Sequence, residues 1–157
     1  MDSNFKLYLS RSENELNLAG IIFQLSINKE LQLDIFKVKP DTYFSAAISH
    51  AYYCIFYAAK AYLLTKNVKT NPPEEHRKTF EEFKKLVDKG IIDKELLELY
   101  EDALIKADAL LDIFQQEKGK RGKFTYRKLP QANQEPANES LEHAKTFFKH
   151  MYNLCEI

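Results

Sequence analysis

The stretch Asp41 to Leu64, DTYFSAAISHAYYCIFYAAKAYLL, is rich in Ala and aromatics, contains no Gly or Pro, and is apolar on nearly every side. A helix that is apolar all round has no stable place on a protein surface, so this one reads as the central post of a helical domain, packed by neighbours on several sides. Its few polar groups then stand out. Ser45, Ser49, Tyr53, Tyr57 and Lys60 recur at three- and four-residue spacing and form one stripe, with His50 beside it. Such a stripe is either a satisfied core network or one wall of a cleft. Pro40 ends whatever precedes it, and Asp41 is the expected N-cap.

Working outward, four more helices are expected. The first runs from about Asn4 into the twenties, with residues 1–9 a candidate flexible start. Leu9, Leu16, Gly20, Phe23 and Ile27 mark its apolar face, widened by Leu18, Ile21, Ile22 and Leu25. Residues 26–40, with Leu31, Leu33, Ile35 and Phe36, either extend that helix or form an ordered connection. After the loop TKNVKTNPP, a third helix spans about Glu74 to Asp88. Its acids lie at the start and its lysines near the end, which suits the helix dipole, and Gly90 stops it. Asp93 is placed to cap a fourth helix with the cleanest periodicity in the chain: Leu96, Tyr100, Ala103, Ala107, Leu110 and Phe114. A last helix runs from about Pro136 or Asn138 to Leu154. Nothing alternates as a strand does. The expected fold is all-α, a mostly up-and-down bundle of about five helices in one domain over residues 1–157.

Composition narrows the function. Lys+Arg and Asp+Glu both number 23, so no overall field draws the molecule to nucleic acid or membrane, and any such binding must come from local patches. The N-terminus lacks the apolar run of a signal peptide. His50, Lys60 and several tyrosines interrupt the central helix, which argues for a buried helix over a membrane span. Cys54 and Cys155 read as two free buried thiols in a reducing cytoplasm. The four His are scattered, no Cys–His cluster has metal-ligand spacing, and neither metal nor cofactor is expected. A Gly-rich phosphate loop, a nucleophile elbow and a His-Glu-x-x-His pattern are all missing. The acids Glu98, Glu101, Asp102 and Asp108 of the fourth helix read as a solvated face.

Two constellations remain. The segment KGKRGKFTYRK, Lys118 to Lys128, has six basic residues and no acid, with Phe124 and Tyr126 interleaved. Arg and Lys bind phosphates and an exposed aromatic stacks on a base, so Lys120, Lys123, Arg127 and Lys128 are candidate nucleic-acid or nucleotide contacts. The plain alternative is a solvated basic loop pinned by its two aromatics. His50 is the second candidate, able to bind phosphate when protonated or to move a proton near neutral pH. Ser49, Tyr53 and Tyr57 would offer hydrogen bonds beside it, and the alternative there is packing with satisfied hydroxyls. His76, early in the third helix, reads as a capping or surface residue.

The run Ser49-His50-Ala51-Tyr52-Tyr53-Cys54-Ile55-Phe56-Tyr57-Ala58-Ala59-Lys60-Ala61 resembles the central helix of HEPN domains. It is most similar to stand-alone prokaryotic HEPN proteins, including the HEPN partners of minimal nucleotidyltransferases, whose pattern is roughly S-R-A-Y-Y-A-x-F-H-A-A-K-A. The order of the other elements, from about Ser10 to Leu154, agrees. The resemblance implies an α-helical bundle, a homodimer, and a role with nucleic acid or nucleotide. Many members are metal-independent ribonucleases of toxin–antitoxin or defence systems, with a motif of Arg, four to six residues, then His, supplied by both chains.

By that resemblance Arg121 matches the Arg, while no His follows and Tyr126 stands near its place. His50 stands where the usual pattern has Arg, and Tyr57 where it has His. A Tyr of ordinary pKa near 10 is a poor proton acceptor at neutral pH, whereas Arg121 can still stabilise phosphate charge. The expectation is therefore a non-catalytic or weakly catalytic homodimer. It would bind RNA, nucleotide or a nucleotidyltransferase partner, with Tyr126 a candidate acceptor of nucleotide modification. The alternatives are an endoribonuclease using Arg121 with Tyr126 or His50, and a structural helical adaptor. Dimerisation is expected separately, because the central helix carries more apolar surface than a small bundle covers alone.

Overall fold

The computed structural model describes residues 4–111 and 133–156. Among the described residues the fold has five α-helices: α1 (Asn4–Ser26), α2 (Phe44–Thr65), α3 (Glu75–Asp88), α4 (Lys94–Leu111) and α5 (Gln134–Cys155). A π-helical turn, Leu31–Ile35, lies between α1 and α2. No strand occurs among the described residues, so the chain is an all-α bundle.

The central post is α2, which packs against each of the other four helices, most extensively α1 and α5. From Phe44 to Leu64 it buries Ala47, Ile48, Ala51, Tyr52, Cys54, Ile55 and Phe56, and every residue from Ala58 to Leu64. The small residues let neighbouring backbones approach, and Tyr52, Phe56, Phe83, Tyr100 and Phe147 fill the space with stacked, tilted and edge-on rings. Within one chain, then, the apolar surface of α2 is already covered. Contrary to the expectation from sequence, α2 needs no second copy to cover it. Exposed apolar surface lies instead on α1 and the turn after it, at Ile21, Ile27, Leu33, Ile35 and Phe36.

Three local expectations change. Helix α1 already includes residues 4–9, and Phe5 and Leu9 sit in the core, so the start is not loose from Asn4 onward. Its buried line is Phe5, Leu9, Ser12, Ala19, Phe23 and Ser26, while Ile27 faces outward and Leu16 and Gly20 border an open groove. Ser12 belongs in that line because its Oγ donates to the Cys54 carbonyl at 2.6 Å, a bond that ties α1 to α2 where the helices are close. Asp41 is not the N-cap of α2. That position is Tyr43, and the Asp41 carboxylate accepts from its neighbour's N–H, that of Thr42.

The connection between α1 and α2 is ordered by one residue. Gln32 is fully buried; its Nε2 donates to the carbonyls of Leu25 (2.7 Å) and Asp41 (2.9 Å), and its Oε1 accepts from Asp41 N–H (2.8 Å). The amide thus stitches the end of α1 to the approach to α2. Gly90, at φ +77°, follows α3 as expected, in a left-handed conformation that costs glycine little. Pro136 falls in the first turn of α5, where its missing N–H is harmless. Cys54 and Cys155 are both free and buried, and burial pushes each thiol up to about 12. No described helix is long and apolar enough to cross a membrane.

Candidate functional site

The polar stripe of α2 meets a second stripe on α1. Tyr8, Arg11 and Glu15 are three and four residues apart and share the α1 face that looks along α2. The exposed Arg11 donates from Nη2 to the Tyr57 hydroxyl at 2.9 Å, and its guanidinium carbon lies 4.6 Å from the centre of the same ring. Tyr8 stacks with Tyr57, with ring centres 6.0 Å apart and planes within 15°. Two turns along α2, His50 Nδ1 lies 2.5 Å from Glu15 Oε2, and the His50 ring is tilted against Tyr53. A guanidinium, an imidazole, a carboxylate and three phenol rings therefore line one partly exposed face.

Two of these phenols, Tyr53 and Tyr57, are held protonated. Burial first, and the Glu15 carboxylate second, push Tyr53 above the ordinary phenol range. Burial also raises Tyr57, against the opposing pull of the Arg11 guanidinium. At neutral pH both serve as hydrogen-bond donors and stacking surfaces, not as bases.

Other candidates have structural roles. Ser49 Oγ donates to the Ser45 carbonyl one turn back, a common helix-surface bond. Lys60 closes the stripe from inside: its Nζ donates to the Thr70 carbonyl at 3.0 Å and to Glu75 at 3.1 Å, and faces the Tyr8 ring. It fastens the loop before α3 onto α2. His76 is neither a cap nor a surface residue. Its Nδ1 shares a 2.8 Å hydrogen bond with the buried Tyr52 hydroxyl, and its ring stacks on Phe56 at 4.1 Å. Arg121, Tyr126, Lys120, Lys123, Arg127 and Lys128 lie outside the described residues.

Between α4 and α5, potential ligand atoms of Asp102, Glu139 and His143 come within 4.8 Å of one another. Lys106 answers that negative charge, its Nζ 2.9 Å from Asp102 and 2.6 Å from Glu139. Burial tends to raise the Asp102 carboxyl, but the Lys106 hydrogen bond and charge outweigh it and hold the group below its usual range. The cluster is an ion-pair network joining two helices.

Sequence reasoning singled out the α2 residues of this candidate face and not Tyr8, Arg11 and Glu15 on α1. Tyr8, Arg11 and Glu15 sit at helical spacing, a signal that was present. Opposite charges on a surface helix are usually only solvated neighbours, so their meeting with Tyr57 and His50 appears only in the packed structure. The HEPN domain family model matches residues 37–154. Neither the curated proteins nor the solved structures contain a match to this chain.

Proposed function

The chain belongs to the HEPN domain family, and on that premise we propose that it is a homodimeric module that binds single-stranded RNA without cleaving it. The observation that carries this reading is the Arg11–Tyr57–Tyr8 arrangement, a cation and two stacked rings on one partly exposed face. Rings of this kind stack on bases of any sequence, and a guanidinium beside them serves a phosphate or the face of a base. In a chain of zero net charge, the basic segment 118–128 supplies the remaining phosphate contacts, with Arg121 among them.

Binding is favoured over cleavage on chemical grounds. Attack of a 2′-hydroxyl on its phosphate benefits from one group that takes a proton and another that gives one. Tyr126 stands in place of an imidazole, and Tyr53 and Tyr57 are pushed further from acting as bases. One observation favours an active endoribonuclease as the second reading: the Glu15 carboxylate holds His50, as a carboxylate orients an imidazole base. In that case His50 acts with Arg121. A small nucleotidyltransferase in a toxin–antitoxin or defence-type pair is the partner that fits the family, with Tyr126 the acceptor of modification.

Fluorescence anisotropy with a labelled single-stranded RNA tests the reading. Arg11→Ala and Arg121→Ala should each weaken binding about tenfold, in line with the ~1–3 kcal/mol of a stacking or charged contact. Absence of RNA affinity in wild-type protein at low salt, where a basic site binds best, would leave only the structural adaptor.

A further inference from the structure

The face shared by α1 and α2 is not chemically uniform. One end of it offers donors. The Arg11 guanidinium has donors only, and the Tyr57 hydroxyl, which accepts from Arg11 Nη2 at 2.9 Å, still has its own O–H to give. A nucleic-acid backbone meets such an end with phosphate oxygens, which are acceptors. Four residues further along α1, about one turn and ~6 Å away, the chemistry reverses. Ionised Glu15 is acceptor-only, so the hydrogen between its Oε2 and His50 Nδ1, 2.5 Å apart, belongs to the imidazole. The carboxylate thereby fixes the tautomer, and in the neutral ring Nε2 presents a lone pair.

That lone pair is open to a ligand. The His50 side chain is 29% exposed, and its Nε2 has no hydrogen-bond partner among the described residues and is not one of their buried unpaired atoms. The ring is held from two sides, by Glu15 and by the tilted Tyr53 ring with centres 6.1 Å apart, so the acceptor is set in place before a ligand arrives. The Glu15 charge repels a phosphate from this corner and suits a neutral donor. A polynucleotide has few of those. Phosphates and ring oxygens only accept, and base edges carry N–H groups in RNA and DNA alike. The 2′-hydroxyl is the one donor on the sugar–phosphate chain that RNA has and DNA lacks.

We propose that His50, fixed by Glu15, reads the ribose 2′-hydroxyl, so that this face selects RNA over single-stranded DNA. The inference rests on the RNA-binding reading above and names the residue that sets its substrate class. One strand serves both ends of the face, with a phosphate on Arg11 and a 2′-hydroxyl on His50 Nε2. Holding that hydroxyl is not cleaving beside it, because cleavage also needs an acid at the departing oxygen. The second imidazole against the Tyr53 ring, that of His76, is a poor one: its Nδ1 is bonded to the Tyr52 hydroxyl, and burial disfavours its protonated form.

The test compares three labelled strands of one sequence: RNA, its 2′-deoxy counterpart and its 2′-O-methyl counterpart. Their affinities are read by anisotropy in EDTA at pH 8, above the ordinary imidazole pKa of about 6.5. Wild type, His50→Phe and His50→Gln are used, with helicity checked by circular dichroism. Wild type should favour RNA about tenfold over either counterpart, the worth of one hydrogen bond to a fixed acceptor. His50→Phe has a ring but no acceptor, and its ratio should fall to about one. The Gln amide can donate to Glu15 while its carbonyl accepts, so His50→Gln should retain most of the preference. Wild type that binds DNA or the 2′-O-methyl strand as tightly as RNA would overturn the inference and leave the single-strand binding reading standing. So would a His50→Phe variant that loses affinity for all three strands at an unchanged ratio, since His50 would then be structural. No affinity for any strand would overturn the RNA-binding reading together with the inference. RNA cut by wild type but not by His50→Phe would make His50 a base and overturn both.

Discussion

Tyr100 is fully buried at the junction of α2, α3 and α5, and its hydroxyl has no hydrogen-bond partner among the described residues. Its ring packs edge-on against Phe80 and Phe147. The ring therefore stabilises while the oxygen does not. Tyr100→Phe should be neutral or stabilising by about 1 kcal/mol, and Tyr100→Ala should cost about 3–5 kcal/mol, both read from urea midpoints. His76 makes a second prediction at this scale. Burial lowers its pKa below the ordinary value, outweighing the upward pull of Glu75. As pH falls through about 6.5 the unfolded chain takes up a proton there while the folded chain resists, so the unfolded state binds more protons and stability drops. Above that range His76 is neutral in both states and contributes no pH dependence. His76→Gln should flatten the fall in stability between pH 7 and pH 5; an unchanged slope would assign that fall to other groups.

Among the elements, the turn between α1 and α2 depends most on a single side chain. Gln32→Ala leaves the Asp41 N–H and the carbonyls of Leu25 and Asp41 without their partner, and should cost about 1–3 kcal/mol while speeding amide exchange across residues 28–41. Native-state hydrogen exchange checks this, and uniform exchange rates in the variant would contradict it. The helices themselves were legible from sequence because periodicity and punctuation agreed: the α4 seam of Leu96, Tyr100, Ala103 and Ala107 is buried as spaced, and Gly90 stands after α3. The inner face of α1 was not, since α1 carries apolar residues on two sides. Periodicity alone does not say which side packs on α2, and the buried line includes Ser12 and Ser26. The Ser26 hydroxyl accepts from the Tyr43 N–H at 2.7 Å, a long-range bond with no local signature. The candidate site was half legible for a related reason. His50, Tyr53 and Tyr57 stood out against an apolar helix, while Arg11 and Glu15 stood among other polar residues.

At the scale of the whole molecule, zero net charge means that the proposed RNA binding draws on one face, not on a general field. Affinity should fall steeply with salt, by about 0.7 log units per decade for each phosphate contact on a single strand. Arg121→Ala should reduce that slope by one contact's worth. The central claim is that this HEPN chain holds RNA and does not cut it. Its most direct test is a mixed pool of labelled RNAs incubated with purified wild type and Arg121→Ala in EDTA, with binding and cleavage recorded in the same samples. The account predicts intact RNA bound by wild type and bound more weakly by Arg121→Ala. Cleavage by wild type that disappears in Arg121→Ala would contradict it and make the chain a metal-independent endoribonuclease.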